Sequence, residues 1–207
     1  MISKIADEKI PLTIDGIYES IYAGFWTRFS SLLIDILIIL PYTFLVIYLN
    51  ELSNNAYYFT FVPGIIIHFW YSIYLVKKYG GTPGKLIVGI KILKLNGTDV
   101  TWREAILRQS IEYILTIFLS VITIYALKLA DGEYYESLRW RQKSQYLHSI
   151  SPLVFKTYTW ASNIWIYSEI FVLLFNKRRR ALHDFIADTV IVKAKYIKQI
   201  KAIMNTN

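Results

Sequence analysis

Charged side chains interrupt two long apolar stretches of the sequence. Arg28 and Asp35 lie in the first stretch, and Arg108 and Glu112 lie near the start of another. An ionised group at the centre of a bilayer costs about 2.5–3.5 kcal/mol on insertion scales, so it requires a partner or a function. A buried carboxylate whose charge depends on a bound proton or cation is what an ion exchanger needs. Asp35 and Glu112 are therefore candidate exchange carboxylates.

The spacing of these residues limits which of them can pair within one helix. Arg28 and Asp35 are almost two helical turns apart, so they share a face but are separated by about 10 Å along the axis. Each is therefore expected to find a partner on another element. Arg108 lies one turn from Glu112 and can extend toward the membrane interface while it bonds an acid below it.

Two further apolar stretches each carry an ionisable group at a similar depth, His68 and Glu169. At 1.5 Å per residue, Asp35 lies about 15 Å from the expected cytoplasmic boundary, and His68, Glu112 and Glu169 lie about 9–12 Å from it. Three acids then face two arginines, so one acid would be protonated, or compensated by His68 or a bound cation. The alternative is that charged pairs only fix helix packing, that His68 is a bonded core group, and that Glu169 faces water.

The elements that must position these groups are transmembrane helices. Hydrophobic residues make up 55% of the 207 residues and charged residues only 18%, against about 25% charged in an average soluble domain. A helix needs about 20 apolar residues to cross a bilayer. Four stretches are long enough, at about residues 25–49, 56–76, 105–127 and 153–175. We therefore predict an all-α membrane protein, a four-helix transmembrane bundle embedded in a lipid bilayer.

Basic residues in the short flanks predict the orientation of these helices. Five lysines lie between the second and third stretches, and residues 177–180 after the fourth are all basic. Such blocks favour the cytoplasmic side. Four crossings then place the N- and C-termini in the cytoplasm and the loop 128–152 outside. These flanks account for much of the net charge of +8, and no separate stripe of basic and stacking residues indicates a nucleic-acid partner.

Two segments are interpreted as extra-membrane structure. Residues 88–102 alternate apolar and polar side chains around Asn96-Gly97, a dipeptide that favours a type I′ turn, so we predict a small cytoplasmic β-hairpin there. The C-terminal tail, HDFIADTVIVKAKYIK, indicates a helical turn followed by an extended segment that could pair with the edge of this hairpin.

Other kinds of chemistry are not indicated. Without cysteine, the chain has no disulfide, no thiolate metal site and no cysteine nucleophile. The histidines are scattered and no serine lies in a nucleophile motif, so we expect no enzyme, no metal site and no cofactor. The segment 80–85, GGTPGK, lacks the spacing of a phosphate-binding loop and is interpreted as a tight turn.

Several motifs, taken in order, resemble the RDD family of membrane proteins. The family is named for an arginine at the start of the first membrane helix, an aspartate within that helix and an aspartate near the C-terminus, and Arg28, Asp35 and Asp184 match these positions. Arg108 matches as well, and the resemblance extends over about residues 22–192. It includes GGTPGKLIVGIKIL at 80–93 and RRALHDFIADTVIV at 179–192.

The resemblance implies a position for the C-terminal tail. The tail would fold back, so that Asp184 meets Arg28 or Arg108 at the membrane face. Asp188 departs from the small residue that is usual between the last aspartate and threonine of the final motif, which adds a charge near this site. We expect an integral protein of the bacterial inner, cytoplasmic membrane.

Two functions are consistent with the sequence. The first is a small transporter that exchanges monovalent cations for protons through Asp35 and Glu112, with Arg28, Arg108 and Asp184 as a cytoplasmic gate or brace. Four helices are few for a transport path, so a homo-oligomer is expected. The alternative is a non-transporting scaffold or assembly partner of another membrane protein, which would dock through the aromatic residues of the loop 128–152: Tyr134, Tyr135, Trp140 and Tyr146.

Overall fold

The computed structural model describes residues 9–53 and 56–206 and is mostly helical. A π-helical turn, Trp70–Tyr74, joins the second helix to the third, and a short 3₁₀ turn, Ala194–Tyr196, precedes the last helix. The two strands are β1 (Ile90–Lys94) and β2 (Thr189–Lys193). The helices are α1 Phe25–Leu52, α2 Ala56–Phe69, α3 Leu75–Tyr79, α4 Pro83–Ile87, α5 Trp102–Leu129, α6 Gly132–Ser137, α7 Trp140–Ile150, α8 Pro152–Phe175, α9 Leu182–Ile186 and α10 Ile197–Thr206.

Three helical segments of the described chain are long and apolar enough to cross a membrane: Phe25–Leu52, Ala56–Ile87 and Trp102–Leu129. Large apolar side chains on them are exposed, as lipid contact requires; Phe59, for example, is 77% exposed. The protein is therefore a membrane protein. Helix α8 coincides with the fourth predicted stretch, but it carries Lys156 and Glu169 and is not one of the three.

The chain divides into two compact units. The first consists of the described residues of Met1–Leu37, Phe69–Gln109 and Tyr167–Asn207, and the second of those of Ile38–His68 and Ser110–Ile166. The helices α1, α5 and α8 each contribute residues to both units.

The first unit is built around a small antiparallel sheet. Strands β1 and β2 pair from Ile90 with Lys193 to Lys94 with Thr189. On its other edge β2 is bonded by the segment 21–23, through the amide of Ala23 to the carbonyl of Ile191 at 2.9 Å and a bridge of Tyr22 to Val192. Because β2 is bonded on both edges and buried on both faces, it carries the continuous apolar run Val190, Ile191 and Val192 rather than an alternating pattern. The core around it consists of Ile10, Ile21, Tyr22, Leu93, Leu95, Val190, Val192 and Ile200.

The predicted hairpin at 88–102 is only partly correct. A turn is present, and Gly97 has a φ of 79°, but Asn96 does not have a positive φ, so the turn is not the predicted type I′. The amide of Lys94 donates to the carbonyl of Thr98 at 2.9 Å. The second arm, however, is a single bridge between Leu93 and Asp99, because α5 begins at Trp102. The main partner of β1 is instead β2 from the tail, the pairing that the extended tail segment allowed.

The second unit contains the segment 128–152, which folds as the helices α6 and α7 rather than as an irregular loop. Its aromatic residues hold the two helices together, since the rings of Tyr134 and Tyr146 meet edge to face with their centroids 5.0 Å apart. Leu147 of α7 is buried in a core with Ile122 and Phe155. The segment is therefore part of a packed structure.

Candidate functional site

Asp184 is the most deeply placed charge of the first unit. It lies in the first turn of α9, and its side chain is fully buried. The carboxylate oxygen Oδ2 accepts a hydrogen bond from the backbone amide of Ala181 at 3.0 Å, so Asp184 satisfies one of the free amides at the start of its own helix. This hydrogen bond at the start of α9 orients the carboxylate without any residue from a distant part of the chain.

Two arginines bind the carboxylate of Asp184, one on each oxygen. Nη1 of Arg28, from the start of α1, lies 2.8 Å from Oδ2. Nη1 of Arg108, from α5, donates to Oδ1 and also to the hydroxyl of Thr189 at 2.5 Å. The sequence indicated that Asp184 meets Arg28 or Arg108, and the structure brings it to both.

A third arginine, Arg180, supports the same cluster through the backbone. Its Nε donates to the carbonyl of Thr189 at 2.9 Å, and its Nη2 donates to the carbonyl of Asp184 at 2.8 Å. Sequence reasoning treated Arg180 as part of a basic flank and missed this role. Arg180 lies just before α9, and no local pattern in the sequence indicated these bonds to backbone carbonyls. We call Arg28, Arg108, Arg180, Asp184 and Thr189 the Asp184 cluster.

The electrostatics of this cluster favour the ionised form of Asp184. Burial alone would raise the pKa of its carboxyl, but the charges of Arg108, Arg28 and His183 outweigh it and hold this pKa well below the usual value of 3.8. Asp184 is therefore a permanent anion at neutral pH, neutralised by guanidinium groups that cannot lose their protons.

Asp188 lies in a tight turn between α9 and β2. Its φ is 52°, in the left-handed region that glycine adopts at least cost and that aspartate tolerates better than most residues. Its exposed carboxylate lies 3.3 Å from Nη2 of Arg180. Asp188 thus fits the turn and adds a surface ion pair at the rim of the Asp184 cluster.

Asp35 lies in a separate set of contacts within the first unit. Its buried carboxylate accepts three hydrogen bonds: from the hydroxyl of Tyr71 at 2.5 Å, from the hydroxyl of Thr82 at 2.6 Å and from the backbone amide of Gly84 at 2.7 Å. Thr82 immediately precedes α4, and Gly84 lies in its first turn. Asp35 therefore supplies, from α1, the acceptor that the start of α4 needs.

This contact explains why the last glycine of the GGTPGK segment, Gly84, has no side chain. A Cβ at Gly84 would overlap the carbonyl oxygen of Ser31 and lie 2.7 Å from Cγ of Asp35. Only glycine lets the backbone of α4 approach α1 so closely. The segment is thus a docking turn for Asp35, in agreement with the interpretation of a tight turn.

Glu169 binds the start of α9 rather than facing the membrane alone. Its Oε1 accepts the backbone amide of His183 at 2.7 Å, and its Oε2 lies 2.5 Å from Nδ1 of His183. Nε2 of the same imidazole lies 3.6 Å from Oδ1 of Asp184. Glu169 therefore contributes to the position of Asp184 through His183, a connection that the sequence did not indicate.

His68 and Glu112 belong to the second unit. The ring of His68 meets that of Tyr113 edge to face, with centroids 4.9 Å apart, and Glu112 acts on His68 electrostatically. The side chain of Glu112 is exposed, and its role as an exchange carboxylate stays a prediction. Across the described residues, no group of three or more His, Asp and Glu side chains is placed to hold a metal ion.

Comparisons with known proteins agree with the membrane character of the chain. A relative from Bacillus subtilis (strain 168), named uncharacterized membrane protein YteJ, is 24% identical over 187 residues, covering 86% of this chain and 85% of the relative. No solved structure matches the chain. The family model described as RDD family matches residues 22–188, the range that contains Arg28, Asp35 and Asp184. The chain belongs to the RDD family.

Proposed function

We propose that this protein is a non-transporting membrane scaffold, an assembly partner of another membrane protein, in which the buried charges brace the fold. The observation that carries this proposal is that fixed donors occupy both oxygens of Asp35 and of Asp184. Two of these donors are backbone amides, those of Ala181 and Gly84. Backbone donors cannot turn away when a proton or cation arrives, which supports a structural role for each carboxylate.

The brace connects distant parts of the chain. Asp184 joins α9 to α1 through Arg28 and to α5 through Arg108, while Asp35 joins α1 to α4. Removing one partner of such a buried set leaves an uncompensated charge, which costs far more than the intact pair contributes. A brace of this kind suits a protein that must hold a fixed shape in the membrane.

The proposal includes α8 as a fourth membrane crossing. β1 precedes α5 and β2 follows α8, and because the two strands pair, they lie on one side of the membrane. If α5 crosses, the chain must cross once more before β2, and α8 is the helix available. Its 24 residues extend about 36 Å, and large apolar side chains such as Ile164 are exposed along it. The basic flanks favour the cytoplasm for the sheet and both termini, in an inner membrane.

The surface proposed for the partner lies on α6 and α7. Trp140 is 55% exposed and Tyr134 is 54% exposed, and charged residues surround them. Aromatic residues beside arginines are enriched in protein–protein interfaces. Tyr135 and Tyr146, which the sequence also suggested, contact each other instead.

The chain offers a direct test of this surface because it contains no cysteine. A photo-crosslinker on Tyr134→Cys should give one defined, stoichiometric adduct with another membrane protein in native membranes. Tyr18→Cys, at a tyrosine of the first unit that is more exposed than Tyr134 (105% against 54%), is the control and should give none. Equal or diffuse adducts from both positions would contradict a docking surface on α6 and α7.

Cation–proton exchange is the second candidate, and one observation favours it. The three groups that donate directly to Asp35 are uncharged, in contrast to the two arginines that bind Asp184. Asp35→Asn separates the two functions, since an amide oxygen can still accept from Gly84 and Tyr71 while its NH₂ donates to the Thr82 hydroxyl. In proteoliposomes under sodium, potassium and lithium gradients, the scaffold proposal expects no cation-driven proton flux from wild type. Flux that Asp35→Asn abolishes would establish exchange.

A further inference from the structure

The second unit contains a cavity that neither proposed function uses. Its volume is about 290 Å³, close to the lower limit for small-molecule pockets and equal to about ten water molecules in the liquid. It lies among the end of α1, the start of α2, α5, α7 and the start of α8. Its lining includes Asn50, Tyr57, Lys143 and Phe155.

Lys143 is the unusual component of this cavity. Only 6% of the residue is exposed, and among the described residues no carboxylate forms an ion pair with it. Its ammonium has two weak contacts, a long hydrogen bond of 3.4 Å to the carbonyl of Asn50 and the ring of Tyr135 at 5.0 Å. A buried cation is costly without a strong partner, and an ammonium has three donors to offer. An anionic oxygen would satisfy these donors and balance the charge.

The rest of the lining is suited to a hydrocarbon chain. Leu119, Leu147 and Phe155 form an apolar side of the cavity. The last two belong to the buried core of the second unit, so this side is rigid. The position near helix ends corresponds to the membrane interface, where the head of an amphiphile meets its tail.

We infer that this cavity binds a single-chain amphiphile, with an anionic carboxylate or phosphate head at Lys143 and its tail against Leu119, Leu147 and Phe155. The inference goes beyond the scaffold proposal and does not depend on it. The charge of Lys143 selects the head group, and the apolar side selects the chain. A neutral alcohol with the same chain therefore lacks the main interaction.

Photolabelling of the full chain in proteoliposomes tests this site. The probes are a lauric acid analogue with a diazirine near its methyl end, the corresponding lysophosphatidic acid and the corresponding alcohol. Labelled peptides are mapped by mass spectrometry in wild type, Lys143→Met, Lys143→Arg and Lys128→Gln. Lys128 is the matched control, an exposed lysine of the same unit that does not line the cavity.

We expect the acid or the phosphate probe to label peptides containing Leu119, Leu147 or Phe155. Labelling should fall about tenfold in Lys143→Met, as expected for the loss of a hydrogen bond to a charged group, and persist in Lys143→Arg and Lys128→Gln. Preference between the two anionic probes identifies a fatty acid or a lipid phosphate as the ligand. Equal labelling by the alcohol, labelling insensitive to Lys143→Met in folded protein, or no labelling in the cavity would overturn the inference. The last result would indicate a cavity filled with water.

Discussion

The backbone amide of Gly84 donates to the carboxylate of Asp35 at 2.7 Å, so the long helix α1 carries the acceptor for the start of the short helix α4. Gly84 contributes its backbone amide and has no side chain that would prevent the approach, and Asp35 contributes its charged carboxylate. Position 84 cannot carry a side chain without disturbing this contact, because a Cβ there would overlap the carbonyl oxygen of Ser31.

Gly84→Ala should destabilise the protein, because the added methyl group meets Ser31 and Asp35. Overpacking of this kind costs about 1–3 kcal/mol, which would lower the midpoint of thermal unfolding in detergent. Gly132→Ala is the control, since nothing lies within 4 Å of a Cβ at that position. Equal midpoints for Gly84→Ala and wild type would show that α4 does not dock as described.

Asp184→Asn should destabilise the fold by about 3–5 kcal/mol, because it leaves the guanidinium groups of Arg28 and Arg108 buried without a counter-charge. Denaturant or thermal unfolding of purified protein measures this loss. Asp188→Asn is the matched control: its side chain is 77% exposed, so the change should cost at most about 1 kcal/mol. Similar losses for both variants would contradict a brace at Asp184.

The carboxylate of Asp184 should also make the stability of the fold depend on pH under acidic conditions. The pKa of Asp184 in the folded protein lies well below its usual value of 3.8, so its contribution is complete above that value and is lost as the pH falls below about 4. Unfolding midpoints of wild type and Asp188→Asn should therefore decline in that range. Asp184→Asn should lack this part of the decline, and an equal decline in all three would assign it to other acids.

The proposed fourth crossing by α8 predicts that α6 and α10 lie on opposite sides of the membrane. With no native cysteine, single variants Ser137→Cys and Lys198→Cys report the two sides; both positions are exposed. An impermeant maleimide should label Ser137→Cys in intact cells and Lys198→Cys only after permeabilisation. Labelling of both from outside would show that α8 does not cross.

Local sequence was sufficient for the long helices and for part of the site. The apolar stretch at 25–49 predicted α1 (Phe25–Leu52), because about 20 apolar residues have few alternatives to a membrane helix. The family motifs pointed to Asp184 beside Arg28 or Arg108. Both predictions rest on a pattern within a short segment, an apolar run in the first case and a family motif in the second.

The remaining contacts could not be predicted because they depend on how distant segments meet. Asp35 and Gly84 are separated by 49 positions, and nothing local to either residue indicates the other. The second arm of the hairpin was wrong for a similar reason, since β1 has a better partner in β2. Glu169 was interpreted as a membrane charge, although His183 becomes its partner once the tail turns back.

The pairing of Arg28 with Asp184 spans 156 positions, and that of β1 with β2 joins the middle of the chain to its tail. During translation, Arg28, Arg108 and β1 therefore leave the ribosome long before their partners, Asp184 and β2. Until the last part of the chain is synthesised, the nascent protein holds two unneutralised guanidinium groups and an open strand edge. Its maturation must accordingly be a late event, and chains shortened before residue 184 should be recognised and degraded by membrane quality control.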